Sequence, residues 1–186
     1  VPFEEMPFLY NPDQGYIATA NNKIVDDDYP YYISNQWAEP SRIERIEEWL
    51  DSKEKLTIED MKILQNDWLS PFAREVVPNI VRWLPQDLNK NEIIALNILN
   101  GWDFIEDTES AAALIFHTVL DELLHNVYED ELAMIDDKAF DALVHFSMLP
   151  YRNIHWVLAE GQSSWIDDVT TPNYIETRTD IVSKSF

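Results

Sequence analysis

The run 111-AAALIFHTVLDELLHNVYEDEL-132 decides the fold class. It is rich in Ala and Leu and holds neither glycine nor proline, so intrinsic propensity favours helix along its whole length. Its apolar residues spread more widely than one narrow stripe, which predicts a largely buried helix. A buried helix needs partners, and the sequence on either side supplies them.

Upstream, 102-WDFIEDTES-110 reads as a loop rich in N-cap candidates, and Asn91 to Leu99 as a short helix stopped by Asn100-Gly101. Before that, 72-FAREVVPNIVRWL-84 is expected to be helical despite Pro78, with Ser70-Pro71 kinking or restarting the chain. Thr57-Ile58-Glu59-Asp60 opens an earlier helix, whose Met61, Leu64 and Trp68 line one face. Ser41-Arg42-Ile43-Glu44 fits a capping box with Ser41 as N-cap, followed by Ile43, Ile46, Trp49 and Leu50 at helical spacing. Downstream, Lys138 to Phe146 and Arg152 to Leu158 are short helices, 159-AEGQSSWIDDVTTPNY-174 is a loop, and the chain turns helical again from Ile175.

Only the beginning differs. Residues 1–25 look extended: Pro2, Pro7 and Pro12 break any helix, and Gly15-Tyr16-Ile17-Ala18-Thr19-Ala20 reads as a strand ending in Asn21-Asn22. The expected fold class is therefore mainly α: a short N-terminal extended or strand segment, then a multi-helix lobe. The division is placed near residue 40, with residues 1–39 as strand and loop and residues 40–186 as the helical lobe. The chain starts at Val1-Pro2-Phe3 and stops inside an expected helix, 179-TDIVSKSF-186, so both ends read as cut from something longer.

Composition narrows the function. The chain has 186 residues, 46% hydrophobic, with 7 Trp, 8 Tyr and 8 Phe, which is ample for a core and argues against disorder. Its formal net charge of −22 repels phosphate backbones and anionic membranes, so no nucleic-acid partner is expected. No apolar run approaches the ~18 residues of a membrane span. With no cysteine, this chain has no disulfide scaffold, iron–sulfur cluster or thiol nucleophile.

Candidate chemistry is sparse. His117, Asp121 and His125 share a helix face at i, i+4 and i+8, but two turns separate the histidines by about 12 Å, too far for one ion. Asp26–Asp28, Glu129-Asp130-Glu131, Asp136-Asp137 and Asp167-Asp168 lack the alternating ligands and glycine of a calcium loop and read as solvated charge. Ser163-Ser164 follows Gly161 without the second glycine of a nucleophile elbow. No P-loop, dinucleotide fingerprint or H-E-x-x-H is present. On these residues alone the chain lacks a complete catalytic set.

Several short motifs, in order, carry more. Asn11-Pro12-x-x-Gly15-Tyr16-Ile17-Ala18-x-x-Asn21-Asn22 is followed by Tyr29-Pro30, Trp37 and Arg42. Then come Leu56-Thr57-x-Glu59-Asp60-Met61-x-x-x-Gln65-x-Asp67, Leu99-x-x-Trp102-Asp103, and Trp165-x-Asp167-Asp168 with Thr171-Pro172 and Glu176-Thr177-Arg178. Together these resemble the β-chain of the penicillin acylase (penicillin amidase) family, over nearly the whole sequence.

The resemblance implies an N-terminal-nucleophile hydrolase, matured from a precursor into α and β chains, with an αββα core and large helical insertions. Such enzymes cleave linear amides: acyl side chains of β-lactams, lipopeptide acyl groups or acyl-homoserine lactones. The nucleophile is the first residue of the β-chain, usually Ser. Val1 does not match it, so the nucleophile is expected outside this chain and the isolated chain is expected to be inactive.

By the same resemblance, Asn21 is the oxyanion-hole asparagine and Arg42 an arginine that supports the active site. Asn22, one position on along a strand, faces the other way and is expected to matter far less. The remainder of an α/β heterodimer is the implied partner, a small-molecule amide the substrate, and the periplasm or extracellular space the location. No cofactor is expected; some members hold structural calcium, near the place of Asp26–Asp28. The competing expectation is a stand-alone acidic helical domain that binds a partner or cations without catalysis.

Overall fold

Eight α-helices supply most of the regular structure in the computed structural model, which describes residues 1–159 and 163–186. They are α1 (Ser41–Asp51), α2 (Ile58–Gln65), α3 (Pro71–Trp83), α4 (Lys90–Asn100), α5 (Ala111–Ala133), α6 (Ala139–Phe146), α7 (Leu149–Leu158) and α8 (Arg178–Ser185). The chain is mainly α, as the sequence predicts. Among the described residues there is no strand, only a single antiparallel bridge between Leu69 and Ile105. The Gly15–Ala20 run is therefore not a strand here, because no second segment runs beside it to take up its backbone groups.

Two compact units form, Val1–Asp67 and Trp68–Phe186, so α1 and α2 sit with the N-terminal segment. In the second unit α5 is the central element, packed against α4, α6 and α8, while α3 packs against α7 and α8. Ser110 starts α5 by accepting the Ala113 N–H on its hydroxyl, at 3.2 Å. The buried face of α5 presents Phe116, Leu120, Leu123, Leu124 and Val127. Val76 and Ile80 from α3, Ile154 and Leu158 from α7, and Ile181 and Val182 from α8 complete the core. Phe116 is its centre, edge-on to Phe72 at 6.0 Å and 5.7 Å from Trp102. Each such side chain contributes about 1.5–3 kcal/mol by leaving water.

The motif residues late in the chain hold the loop after α7. The Glu176 carboxylate accepts the Thr171 hydroxyl at 2.8 Å and the Asp168 N–H at 3.0 Å, and the Glu176 N–H donates to Asp167 at 3.2 Å. Arg178 Nε donates to the Val157 carbonyl at 2.9 Å. The glycine preceding Ser163-Ser164, Gly161, lies outside the described residues; Ser164 begins a short 3₁₀ turn, Ser164–Ile166.

The first unit is built differently. Of residues 1–67 only Ser41 and Ile43 are buried, so polar ties rather than a core give it shape. Tyr16 donates its hydroxyl to Asp51 at the end of α1 (3.0 Å), and Arg45 on α1 holds Asp67 through Nε at 2.7 Å. Thr57 and Asp60 form a capping box that opens α2 where a helix start is expected. The capping box expected at Ser41 is absent: Pro40 takes the N-cap position, and Ser41 gives its N–H and hydroxyl to the Glu39 carboxylate instead.

Candidate active site around Asn21

Asn21 stands at the turn between the N-terminal segment and the loop that leads to α1. Its backbone is left-handed, with φ of 61°, a conformation that asparagine tolerates better than most side chains. The turn before it uses the same region: Gly15 has φ of 80° and donates its N–H to the Pro12 carbonyl at 2.9 Å. The Asn21 carbonyl accepts the Ala38 N–H at 2.9 Å, which ties the turn to the residues just ahead of α1.

Arg42 then reaches back from the first turn of α1. Its Nη2 donates to the Asn21 Oδ1 at 2.9 Å and to the Ala20 carbonyl at 2.7 Å. The two residues singled out from the sequence, one in the N-terminal segment and one on a helix, are thus in direct contact. A guanidinium only donates, so the amide oxygen of Asn21 has to face it. The Asn21 amide nitrogen is consequently turned the other way, and the residue is exposed. A donor amide held by its own oxygen and pointing outward can bind a developing negative charge without giving up a proton.

Two neighbours were not singled out as contributors to this arrangement. Asn22 Oδ1 accepts the Ala20 N–H at 3.0 Å, and its Nδ2 donates to the Lys23 carbonyl at 3.0 Å. Glu39 fixes the start of the helix that carries Arg42, accepting the Ser41 N–H at 2.8 Å. For Asn22 the sequence held a usable signal, because asparagine side chains commonly bond backbone groups two residues away. A strand register hides it, because alternating faces set Asn22 apart from its neighbours. For Glu39 the same capping logic applied, but Ser41 was the more familiar cap.

The remaining candidates do not converge on this place. The Asp27 carboxylate is taken by Lys23 and held below its ordinary range by that hydrogen bond. His117 pairs with Glu106 at 3.4 Å and His125 with Glu129 at 3.2 Å, so the two histidines have separate carboxylates. The Glu106 hydrogen bond raises the His117 pKa, and the His117 hydrogen bond lowers that of Glu106. Among the described residues no three His, Asp or Glu side chains group as a metal shell would require. Nor is any helix of the described residues long and apolar enough to cross a membrane.

Comparison with known proteins puts this geometry in context. The acyl-homoserine lactone acylase QuiP of Pseudomonas syringae pathovar tomato is 27% identical over 179 residues, covering 89% of this chain and 22% of its own length. The QuiP enzyme of Pseudomonas aeruginosa is 26% identical over 179 residues. The penicillin acylase 2 proenzyme of Pseudomonas species strain SE83 is 34% identical over 122 residues, 63% of this chain and 15% of its own length. The chain thus spans about a fifth of the length of the curated relatives it matches. A profile of the family described as Penicillin amidase matches residues 1–186, every motif above included, and the chain belongs to that family.

Proposed function

We propose that this chain is the segment of a penicillin-acylase-type amide hydrolase that supplies one oxyanion donor, the side-chain NH₂ of Asn21. The observation that carries this reading is the contact of Arg42 Nη2 with Asn21 Oδ1 at 2.9 Å. It fixes which end of the amide is free, and the free end is the donor that an acyl-transfer transition state needs. In the ground state the scissile carbonyl is a weak acceptor. As the nucleophile adds, its oxygen gains charge and the bond to Nδ2 strengthens, so the interaction acts on the rate. Arg42 orients the amide and its positive charge favours negative charge nearby.

The nucleophile is assigned to the N-terminal residue of a β-chain outside residues 1–186, with the rest of the α/β acylase as partner. The substrate class is a linear amide, and the names of the relatives favour an acyl-homoserine lactone or an acylated β-lactam. A periplasmic or extracellular site of action goes with that assignment.

The test is steady-state kinetics of Asn21→Ala in the full-length enzyme, after mature chains are confirmed. Removing one such donor is expected to lower kcat by about 10²–10³, or about 2.7–4 kcal/mol, with KM nearly unchanged. An Asn21→Ala enzyme with wild-type kcat would remove Asn21 from the oxyanion hole.

A further inference from the structure

We infer that Asn22 is a positioning residue for Asn21, an assignment that rests on the oxyanion reading given above. The peptides on either side of Ala20 are held by different side chains. The Ala20 N–H is received by Asn22 Oδ1 at 3.0 Å, and the Ala20 carbonyl, in the peptide that joins it to Asn21, receives Arg42 Nη2 at 2.7 Å. Asn21 leaves that peptide with φ of 61°, and its own carbonyl is held by the Ala38 N–H at 2.9 Å. Asn22 closes the turn on the other side through its bond to the Lys23 carbonyl at 3.0 Å.

The consequence concerns which state Asn21 occupies. Left-handed backbone is one of several conformations open to an asparagine, so a single one persists only where its surroundings fix it. Few apolar contacts are available for that, since the first unit buries only Ser41 and Ile43. Side-chain hydrogen bonds have to do it. Arg42 constrains the carbonyl side of Ala20 and the Asn21 amide, but leaves the chain free to rotate about the preceding peptide. Asn22 removes that freedom. Its half-buried side chain joins residues 20 and 23 across the turn whose second member is the donor. Without it Asn21 can relax to right-handed or extended backbone, and its amide swings away from the position Arg42 sets. Asn22 touches neither substrate nor nucleophile in this reading and acts only through Asn21.

The decisive experiment is a double-mutant cycle on the full-length matured enzyme, using an acyl-homoserine lactone and a chromogenic acyl-anilide as probes. Asn22→Ala is expected to lower kcat about tenfold with KM within twofold, because misplacing a catalytic group by about 1 Å is enough for a loss of that order. Asn22→Asp keeps the acceptor for the Ala20 N–H but loses the donor to the Lys23 carbonyl and adds a charge, so it is expected to recover only part of the rate lost in Asn22→Ala. In an Asn21→Ala background, Asn22→Ala is expected to cost nothing further, since residues that act through one group are not additive. A residue that merely stabilises the fold would lower the melting temperature and give the same fold-loss in both backgrounds; that additivity overturns the inference, as does an Asn22→Ala enzyme with wild-type kcat. If Asn21→Ala itself leaves kcat unchanged, the oxyanion reading fails instead, so the two failures are separable. Should Asn22→Ala block maturation, Asn22→Asp and Asn22→Ser decide: the serine hydroxyl falls short of the Ala20 N–H, and equal kcat for the two overturns the inference.

Discussion

Arg42 and Asn21 are joined by a hydrogen bond in which only one partner has a choice of atoms. Arg42 Nη2 has nothing but protons to offer, and it lies 2.9 Å from Asn21 Oδ1. The orientation of a neutral amide is thereby set by a charged group twenty-one residues further along the chain.

That geometry separates charge from shape at position 42. Both bonds come from the one Nη2, and lysine would keep the positive charge but lose the longer, planar guanidinium that places that nitrogen between the Ala20 carbonyl and the Asn21 oxygen. Arg42→Lys in the full-length enzyme is therefore expected to lower kcat by about tenfold with a small change in KM. Wild-type kinetics in Arg42→Lys would show that charge alone suffices and that the guanidinium geometry does not orient Asn21.

The core of the second unit makes a separate prediction. Phe116 is fully buried against Phe72 and Trp102, in the middle of α5. Phe116→Ala removes those contacts and leaves a cavity that a close-packed helical core closes only in part. The expected loss is about 3–5 kcal/mol in denaturant unfolding. A loss below about 1 kcal/mol would mean that the helices around α5 collapse freely onto the gap.

The difference between helix interiors and helix ends explains what the sequence showed and what it hid. α5 was legible because no residue in it opposes helix and its buried residues recur with the helical period. Helix ends are set by local capping chemistry, which the helical period does not report, even where the helix is well packed. The sequence reading starts this helix at Arg152, yet proline is at home in a first turn and α7 begins at Leu149. Thr177 and Asp180 form a capping box that starts α8 at Arg178 rather than Ile175. Trp68, expected on the face of α2, lies beyond its end at Gln65. At the candidate site, Asn21 and Arg42 are singled out by the family motif. The contact between them was not legible there, because it depends on a left-handed backbone and on a side chain crossing from a helix to a turn.

A pH-dependent prediction follows from the pair formed by His117 and Glu106. Folding raises the His117 pKa above its ordinary 6.5, so its contribution is complete below 6.5 and is lost as pH rises through the raised value. Folding lowers the Glu106 pKa below 4.5, so its contribution is present above 4.5 and is lost as pH falls through the lowered value. Both are at full strength only from about pH 4.5 to 6.5. The stability difference between wild type and His117→Gln is expected to peak in that window, at about 1 kcal/mol or less because His117 is largely exposed. A difference that grows toward pH 9 would contradict the ion pair.

Glu131 gives the opposite sign for a carboxyl group. Burial near the end of α5 pushes its pKa up to about 7, and the neighbouring Asp130 adds to the effect. Its Oε2 is buried with no hydrogen-bond partner, so little offsets the desolvation of the ionised form. A carboxyl group whose pKa rises on folding binds its proton more tightly in the folded state. It therefore favours folding fully below about pH 4.5, and that advantage is lost as pH rises through about 7. At pH 8 the folded protein carries a poorly solvated charge beside Asp130, with Asp168 also repelling it. Glu131→Gln keeps the shape and removes the charge. It is expected to raise the melting temperature of the full-length protein at pH 8 and to leave it almost unchanged at pH 4.5, where both side chains are neutral in the fold. The gain at pH 8 is expected to stay below about 1 kcal/mol, since the half-exposed site is screened by solvent. Thermal scans of wild type and Glu131→Gln from pH 4.5 to 8 decide it: parallel curves, or a Gln variant that is less stable at pH 8, would place the Glu131 carboxylate among donors rather than against other acids.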